Sequence, residues 1–254
     1  MNLKNYFESS RNYKSNSQRA RAFTEPFVEE NFYCPYCGAN LIGCVNNDKV
    51  RDFDCSKCDE NYELKSKQGK SLGKTIVDGK YQAMIKRISN NNNPNFYFLN
   101  YDKSNFDVIN FCAVPSYFFT PSIILPRKNG IPNRPDYIMC NIDISSIPNS
   151  GKIFYVKNKE TISKNQVLDE WNKTLFLKDS NNIQAKGWLL DIIQCIEKLD
   201  RKRFSLQDLY NFENYLKIKH PENNNIQAKI RQQLQDLRDK GYLRFTHRGN
   251  YEVV

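Results

Sequence analysis

The chain has 254 residues, 39% hydrophobic and 13% aromatic, a composition that excludes a disordered or low-complexity protein and supplies one large core or two modest ones. Lysine and arginine outnumber aspartate and glutamate by 38 to 28, and the net charge of +10 points to a polyanionic partner, above all nucleic acid. The opening MNLKNYFESS lacks the apolar core of a secretion signal and no run of about 18 apolar residues occurs, so we expect no membrane segment and a cytoplasmic protein with reduced thiols.

Residues 13–31 read as a first helix, with Ser15 or Ser17 as its cap and Ala20, Phe23, Phe27 and Val28 at spacings of three and four. Glu25, Glu29 and Glu30 along it read as a solvated face, the alternative being that one of them approaches the metal site from outside. Eight cysteines follow in the chain, and in a reducing compartment they argue for metal rather than disulfides. Cys34, Cys37, Cys55 and Cys58 form two C-x2-C pairs, each a tight turn that presents two thiolates to one ion. Four thiolates leave no vacant position, so this reads as a structural zinc site. Cys44, in the polar loop between the pairs, reads as a spare thiol. Cys112, Cys140 and Cys195 sit in apolar surroundings and read as packed core thiols.

Asp52, Glu63 and Lys65 are interleaved with the second pair. The segments KVRDFD and NYELKSK alternate like strands, which puts Glu63 and Lys65 on one face. A hairpin turning around Cys55 and Cys58 brings Asp52 beside them. Two carboxylates in one place call for a cation, and oxygen ligands suit Mg2+. The Leu64 carbonyl is a further candidate ligand. A lysine beside the metal can orient or deprotonate an attacking water, so the set fits a magnesium-dependent nuclease site. From Lys65 to Arg87 seven basic residues stand against one acid, Asp78, and Lys67, Lys70 and Lys74 read as phosphate contacts.

Thr75–Ser89 reads as an amphipathic helix with Val77, Tyr81, Met84, Ile85 and Ile88 inward. Residues 95–102 and 106–114 read as a hairpin turning at Lys103–Asn105. The proline-rich segment from Pro115 to Pro135, with Arg127, Lys128 and Arg134, reads as irregular surface chain. A strand at 151–157 and a helix around Val167–Leu177 close the first domain, an α/β domain around a mixed sheet with an embedded zinc site.

A break falls at 178–187, so we expect domains at 1–180 and 181–254. In the second, Trp188, Ile192, Ile196 and Leu199 mark one helix. Ser205, with Asp208 at the capping-box position, starts another carrying Leu206, Leu209, Phe212 and Leu216. Ile226, Ile230, Leu234 and Leu237 stripe a third, and two strands joined by THRG follow it. Three helices and a hairpin make a winged helix. Its third helix is then the recognition helix, offering Asn224, Ala228, Arg231, Gln232 and Gln235 to a DNA groove, with Arg248 at the hairpin tip. Residues 183–254 hold 13 basic and 9 acidic side chains, a net of +4, so both domains carry positive charge.

Taken together, YKSNSQ, CPYCG, VRDFDCSKC, YELKSK, NNPNFYF and KIRQQLQDLRDKGYLRF resemble the DpnI-type methyl-directed restriction endonucleases, the Dam-replacing family, over nearly the whole chain. The resemblance implies a PD-(D/E)xK nuclease domain joined to a winged helix in a bacterial protein, a monomer that cleaves double-stranded DNA at GATC when its adenine is N6-methylated. It carries the catalytic motif onto Asp52, Glu63 and Lys65 and the zinc ligands onto Cys34, Cys37, Cys55 and Cys58. Arg51 stands where the motif's proline would be. Tyr137 is an aromatic candidate for contact with the methyl group. The competing reading, a non-catalytic regulator built of a zinc ribbon and a winged helix, accounts for the charge and the cysteines but leaves Asp52, Glu63 and Lys65 without a purpose.

Overall fold

Asn95–Tyr101 and Val108–Val114 become strands in which every residue is buried, and one sheet is laid out on either side of them. The computed structural model describes residues 1–10, 12–44, 50–178 and 183–254. These divide into one compact unit of residues 1–145 and 150–175 and a second of 146–149 and 176–254. The boundary expected between residues 180 and 181 lies outside the described residues, as does part of the loop between the cysteine pairs.

In chain order the first unit contains α1 (Lys4–Phe7), α2 (Asn16–Asn31), β1 (Leu41–Gly43), β2 (Phe53–Cys55), β3 (Asn61–Gln68), β4 (Thr75–Lys80) and α3 (Tyr81–Ser89). It continues with β5 (Asn95–Tyr101), β6 (Val108–Val114), β7 (Ile124–Ile131), β8 (Arg134–Asp143), β9 (Ile153–Lys157), β10 (Glu160–Thr161) and α4 (Lys164–Asn172). The main sheet runs β1-β2-β3-β5-β6-β9-β10. Its neighbours are antiparallel except β3 and β5, which are parallel and therefore need a crossover, supplied by β4 and α3. One face carries an aromatic core in which Phe23 and Phe27 of α2 meet Tyr62, Tyr97, Phe111 and Tyr155, closed by Trp171 of α4. Tyr62 and Tyr97 stack with ring centres 4.5 Å apart. The buried hydroxyls of Tyr97 and Tyr155 both donate to the Tyr33 carbonyl, so this core keeps its polar atoms satisfied.

Two expectations are corrected here. Thr75–Ser89 is not one helix: residues 75–80 form β4, in which Ile76 and Asp78 point inward while Val77 is half exposed. The period-two burial overrides the apparent helical spacing, and the helix begins only at Tyr81, burying Met84 and Ile88. The proline-rich segment is not irregular either. Its second half forms β7 and enters β8, giving a separate sheet of order β4-β8-β7. Pro126 sits on the edge strand β7, beside register shifts at Gly130. Most of β7 is exposed, so no apolar alternation announced it. Smaller differences are that the first long helix starts at Asn16, with Ser15 at the cap position but no side-chain cap bond, and that α4 ends at Asn172 with a separate turn at Leu175–Leu177. Cys112, Cys140 and Cys195 are fully buried, as expected of core thiols.

The second unit comprises α5 (Ile183–Lys198), β11 (Arg203–Ser205), α6 (Leu206–Tyr210), α7 (Glu213–Lys219), α8 (Ile226–Asp239), β12 (Leu243–His247) and β13 (Asn250–Val253). The capping box is present: Asp208 N donates to Ser205 Oγ, and Ser205 N to Asp208 Oδ2 at 2.7 Å. The expected second helix is broken into α6 and α7, and the expected hairpin is a three-stranded sheet of order β11-β13-β12. The stripe Ile226, Ile230, Leu234 and Leu237 is buried. This is a helix-turn-helix core with a wing.

The strand at 75–80 has a direct test. Val77→Thr should change unfolding stability by less than about 0.5 kcal/mol, as an exposed site does, whereas Ile76→Ala should cost about 2–5 kcal/mol. Chemical denaturation of the zinc-loaded protein measures both, and the two costs would be similar if the segment were a helix burying Val77.

Candidate active site and metal centre

Everything chemically unusual in the first unit is arranged along the pair β2–β3. At the turn between them lie Cys55 and Cys58, and Cys34 and Cys37 come to the same place from the segment after α2. The four sulfurs all lie within 4.8 Å of one another. Cys34 Sγ is 3.7 Å from Cys58 Sγ, and Cys37 Sγ is 3.4 Å from Cys55 Sγ. A tetrahedral zinc with sulfurs at about 2.3 Å requires edges of about 3.8 Å, so the donor set fits one such ion. Gly38 turns the first pair with φ of 73°, in the left-handed region, and its amide donates back to Cys34 O at 2.8 Å. Burial pushes the Cys34 thiol up to about 11 although the Tyr62 hydroxyl lies 3.0 Å away. At Cys55 burial also works upward, but the backbone amides of Lys57 and Cys58 outweigh it and bring the thiol down. A bound cation is what would hold such a mixed set fully deprotonated. Cys44 is not part of the group; its sulfur lies 3.6 Å from Asp54 Oδ2.

At the other end of the same two strands stand the acids. The pairing Phe53↔Tyr62 fixes the register, and Asp52, one residue before β2, donates its amide to Tyr62 O at 2.8 Å. Its carboxylate then takes the place of the next strand partner: Leu64 N donates to Asp52 Oδ2 at 2.7 Å. Tyr62 points into the aromatic core, so Glu63 and Lys65 project from the opposite face. There Lys65 Nζ lies 2.5 Å from Glu63 Oε1. The structure therefore gathers Asp52, Glu63, the Leu64 backbone and Lys65 at one point of the sheet.

It also gathers four further charged residues, of which only Glu25 was an alternative candidate for the site. Arg21 of α2 donates to Asp52 Oδ1 at 2.9 Å and to Glu25 Oε1 at 2.5 Å. Burial raises the Glu25 carboxyl, with Arg21 pulling it down and the Asp52 charge adding to the rise. Glu25 is thus at the site rather than on a solvated face. Asp78 of β4 lies 2.5 Å from Lys65 Nζ, and Arg87 of α3 is 3.8 Å from Glu63 Oε2 and 4.0 Å from Asp78 Oδ2. The helical reading of 75–80 hid Asp78, and counting Arg87 among the phosphate contacts hid its partners. Burial raises the Glu63 carboxyl, opposed by Lys65 and reinforced by Asp78. For Lys65 burial works against the charge, but Glu63 and Asp78 more than offset it and the ammonium is held well above its usual range. At neutral pH Lys65 is therefore charged, and it donates to Glu63 Oε1.

The basic strip is accordingly smaller than its sequence suggests, since Lys65 and Arg87 are spent on acids. Lys67 is half buried and donates to Leu72 O at 2.8 Å, while Lys70 and Lys74 are exposed. Arg127, Lys128 and Arg134 are exposed on the β7–β8 ribbon. Tyr137, half buried on β8, lies against Gly79, where an added Cβ would be 3.7 Å from its hydroxyl. In the second unit Asn224, Ala228, Arg231, Gln232 and Gln235 are exposed on or just before α8, and Arg248 is exposed in the wing. Arg231 donates to the Tyr210 hydroxyl at 2.6 Å and Lys229 to Gln232 Oε1 at 2.8 Å. Both histidines belong to the second unit, where His220 stacks on Trp188 with ring centres 3.7 Å apart and meets Asp191 at 2.8 Å.

Two family models cover this chain. The one described as DpnI: Dam-replacing family matches residues 1–180, and the one described as DpnI_C: Dam-replacing HTH domain matches residues 184–253. No helix among the described residues is long and apolar enough to cross a membrane.

The thiol geometry separates ligands from bystander. Purified protein should contain one zinc per chain; Cys34→Ser should lose it and much of its stability, while Cys44→Ser should keep it. Metal analysis by mass spectrometry checks both, and zinc loss from Cys44→Ser would show a different ligand set.

Proposed function

The chain belongs to the DpnI Dam-replacing family of methyl-directed restriction endonucleases, and on that footing we propose that it hydrolyses double-stranded DNA at GATC sites carrying N6-methyladenine, with Mg2+ as the catalytic ion. The observation that carries the chemistry is the meeting of Asp52, Glu63 and Lys65 where β2 and β3 part company. A cation fits this donor set. Glu63 Oε2 is buried without a hydrogen bond, with Arg87 Nη2 3.8 Å away, and an acceptor left so costs stability until a closer partner takes it up. Asp52, Glu63 and the Leu64 carbonyl would hold the ion, which supplies charge neutralisation at the phosphate and a more acidic bound water.

The protein's own groups do the rest. Lys65, charged at neutral pH, donates to the attacking water or to a phosphate oxygen and offsets the charge that grows in the in-line displacement. Arg21 balances Asp52 and Glu25 and keeps the Asp52 carboxylate aimed at the Leu64 amide. The four-cysteine site, holding zinc, ties the turn of the same two strands. Lys67, Lys70 and Lys74 would track the phosphate backbone, with Lys67 the least accessible of the three. In the second unit Arg231, Gln232 and Gln235, with Asn224, Ala228 and Arg248, would read or brace the site, Arg231 after leaving its contact with Tyr210. A non-catalytic regulator would carry the same charge and zinc, but it gives no reason to keep Glu63, Lys65 and Asp78 together in a mostly buried cluster.

One plasmid prepared with and without adenine methylation at GATC tests the reading. With Mg2+ the protein should cut only the methylated form, and EDTA should stop it; cutting of both forms would remove the methyl-reading claim. Asp52→Ala should lower the cleavage rate by about 10^3-fold or more while the protein still binds methylated DNA, where a regulator would be indifferent. Arg231→Ala should weaken binding of a methylated duplex by about 1–3 kcal/mol in fluorescence anisotropy at fixed salt.

A further inference from the structure

The cluster around Lys65 contains one acid for which the proposed chemistry has no task. Asp78 is on β4, outside the main sheet, and its side chain is 2% exposed. Its Oδ1 lies 2.5 Å from Lys65 Nζ and also accepts from the Gly79 amide at 2.7 Å. Its Oδ2 is buried without a hydrogen bond, as is Nε of Arg87, whose Nη2 is 4.0 Å away. Removing a carboxylate from water in this way is costly unless a specific partner requires it. The charged groups facing Lys65 are Glu63 from β3 and Asp78 from β4, with Arg87 from α3 behind both acids.

We propose that Asp78 is a positioning residue for the cleavage reaction: with Arg87 behind it, Asp78 fixes the Lys65 ammonium where the substrate phosphate arrives. The proposal rests on the reading of Lys65 as catalytic. A lysine head is a compact charge on a flexible four-carbon stem and has no preferred direction of its own. Two carboxylates from different strands remove that freedom before substrate binds, which is how positioning lowers a barrier. Glu63 is also a candidate cation ligand, so with Glu63 so engaged Asp78 is the anchor that remains. The backbone around Asp78 is built for the task. The register of β4 on β8 shifts between Asp78 and Lys80, and the extra residue, Gly79, turns its amide onto the Asp78 carboxylate. Arg87 spans both acids and keeps the buried charges balanced two against two.

Asp78→Asn and Asp78→Glu test this, assayed for zinc content, thermal midpoint, binding to methylated duplex in Ca2+, and single-turnover cleavage over a Mg2+ series. We expect Asp78→Asn to bind DNA and respond to Mg2+ within about twofold of the parent, but to cut about 100-fold more slowly. In NMR of nitrogen-labelled lysine side chains, the Lys65 ammonium signal, assigned by its loss in Lys65→Met, should be visible in the parent and broadened away in Asp78→Asn. If Asp78→Asn fails to fold, Asp78→Glu, which keeps the charge and lengthens the stem, should still be slowed. Parent-like rates in the folded variants overturn the proposal. So does a rate restored by high Mg2+, which would make Asp78 a metal ligand. Cleavage retained by Lys65→Met would overturn the catalytic reading of Lys65 itself, and this proposal with it.

Discussion

The register of β2 on β3 is the constraint on which the rest of the first unit depends. Because Phe53 faces Tyr62, the Asp52 carboxylate reaches the Leu64 amide, beside Glu63 and Lys65, whose own face is fixed by the pairing of β3 with β5. A slip of β2 by one residue would turn Phe53 out of the core and take Asp52 away from Glu63 and Lys65. Only two residue pairs join β2 to β3, too few to hold a register by ladder bonds alone. The four thiols at the turn and the hydrogen bonds of Asp52 to Tyr62 O and the Leu64 amide supply what the short ladder cannot. The cysteine cluster and the acid cluster are therefore two ends of one device, one closing the hairpin and the other using the alignment it enforces.

The charges at the working end are balanced by groups drawn from separate elements. Arg21 comes from α2, Lys65 from β3, Asp78 from β4 and Arg87 from α3. β4 and α3 form the crossover that makes β3 and β5 parallel, while α2 packs against β3 and β1. That parallel pair lets a helix and an extra strand descend on the face of the sheet carrying Glu63 and Lys65. The aromatic core built on Tyr62 and Tyr97 occupies the other face, while Phe96 and Phe98, the β5 partners of Glu63 and Lys65, are buried beside the charged groups and pack with Phe119.

Much of this was legible in the sequence, and the parts that were not share a cause. The C-x2-C pairs have a fixed chemistry wherever they occur, and strand period alone puts Glu63 beside Lys65. The capping box at Ser205 and Asp208 and the stripe from Ile226 to Leu237 likewise depend on local rules. Asp78 and Arg87 were read as surface residues because their partners are distant in sequence, and because Val77, Tyr81, Met84 and Ile88 imitate helical spacing across a strand-to-helix junction. The β7–β8 ribbon is mostly exposed and rich in proline and charge, so it carries none of the apolar alternation by which strands are found. Among the three glutamates of α2, Glu25 could not be singled out from sequence, because a helix-face acid reveals its purpose only when Arg21 and Asp52 are seen beside it.

The central claim, that the thiol cluster holds the alignment the acids require, can be measured on one sample. Zinc would be withdrawn with a zinc-selective chelator in the presence of Mg2+, while hydrogen exchange at the Leu64 amide and cleavage of methylated DNA are followed together. Exchange at Leu64 should accelerate and cleavage should fail in step with zinc loss, and both should recover when zinc is returned. Zinc-free protein that keeps Leu64 protected and continues to cut would contradict the claim, and the cluster would then be a separate staple with no part in setting the active site.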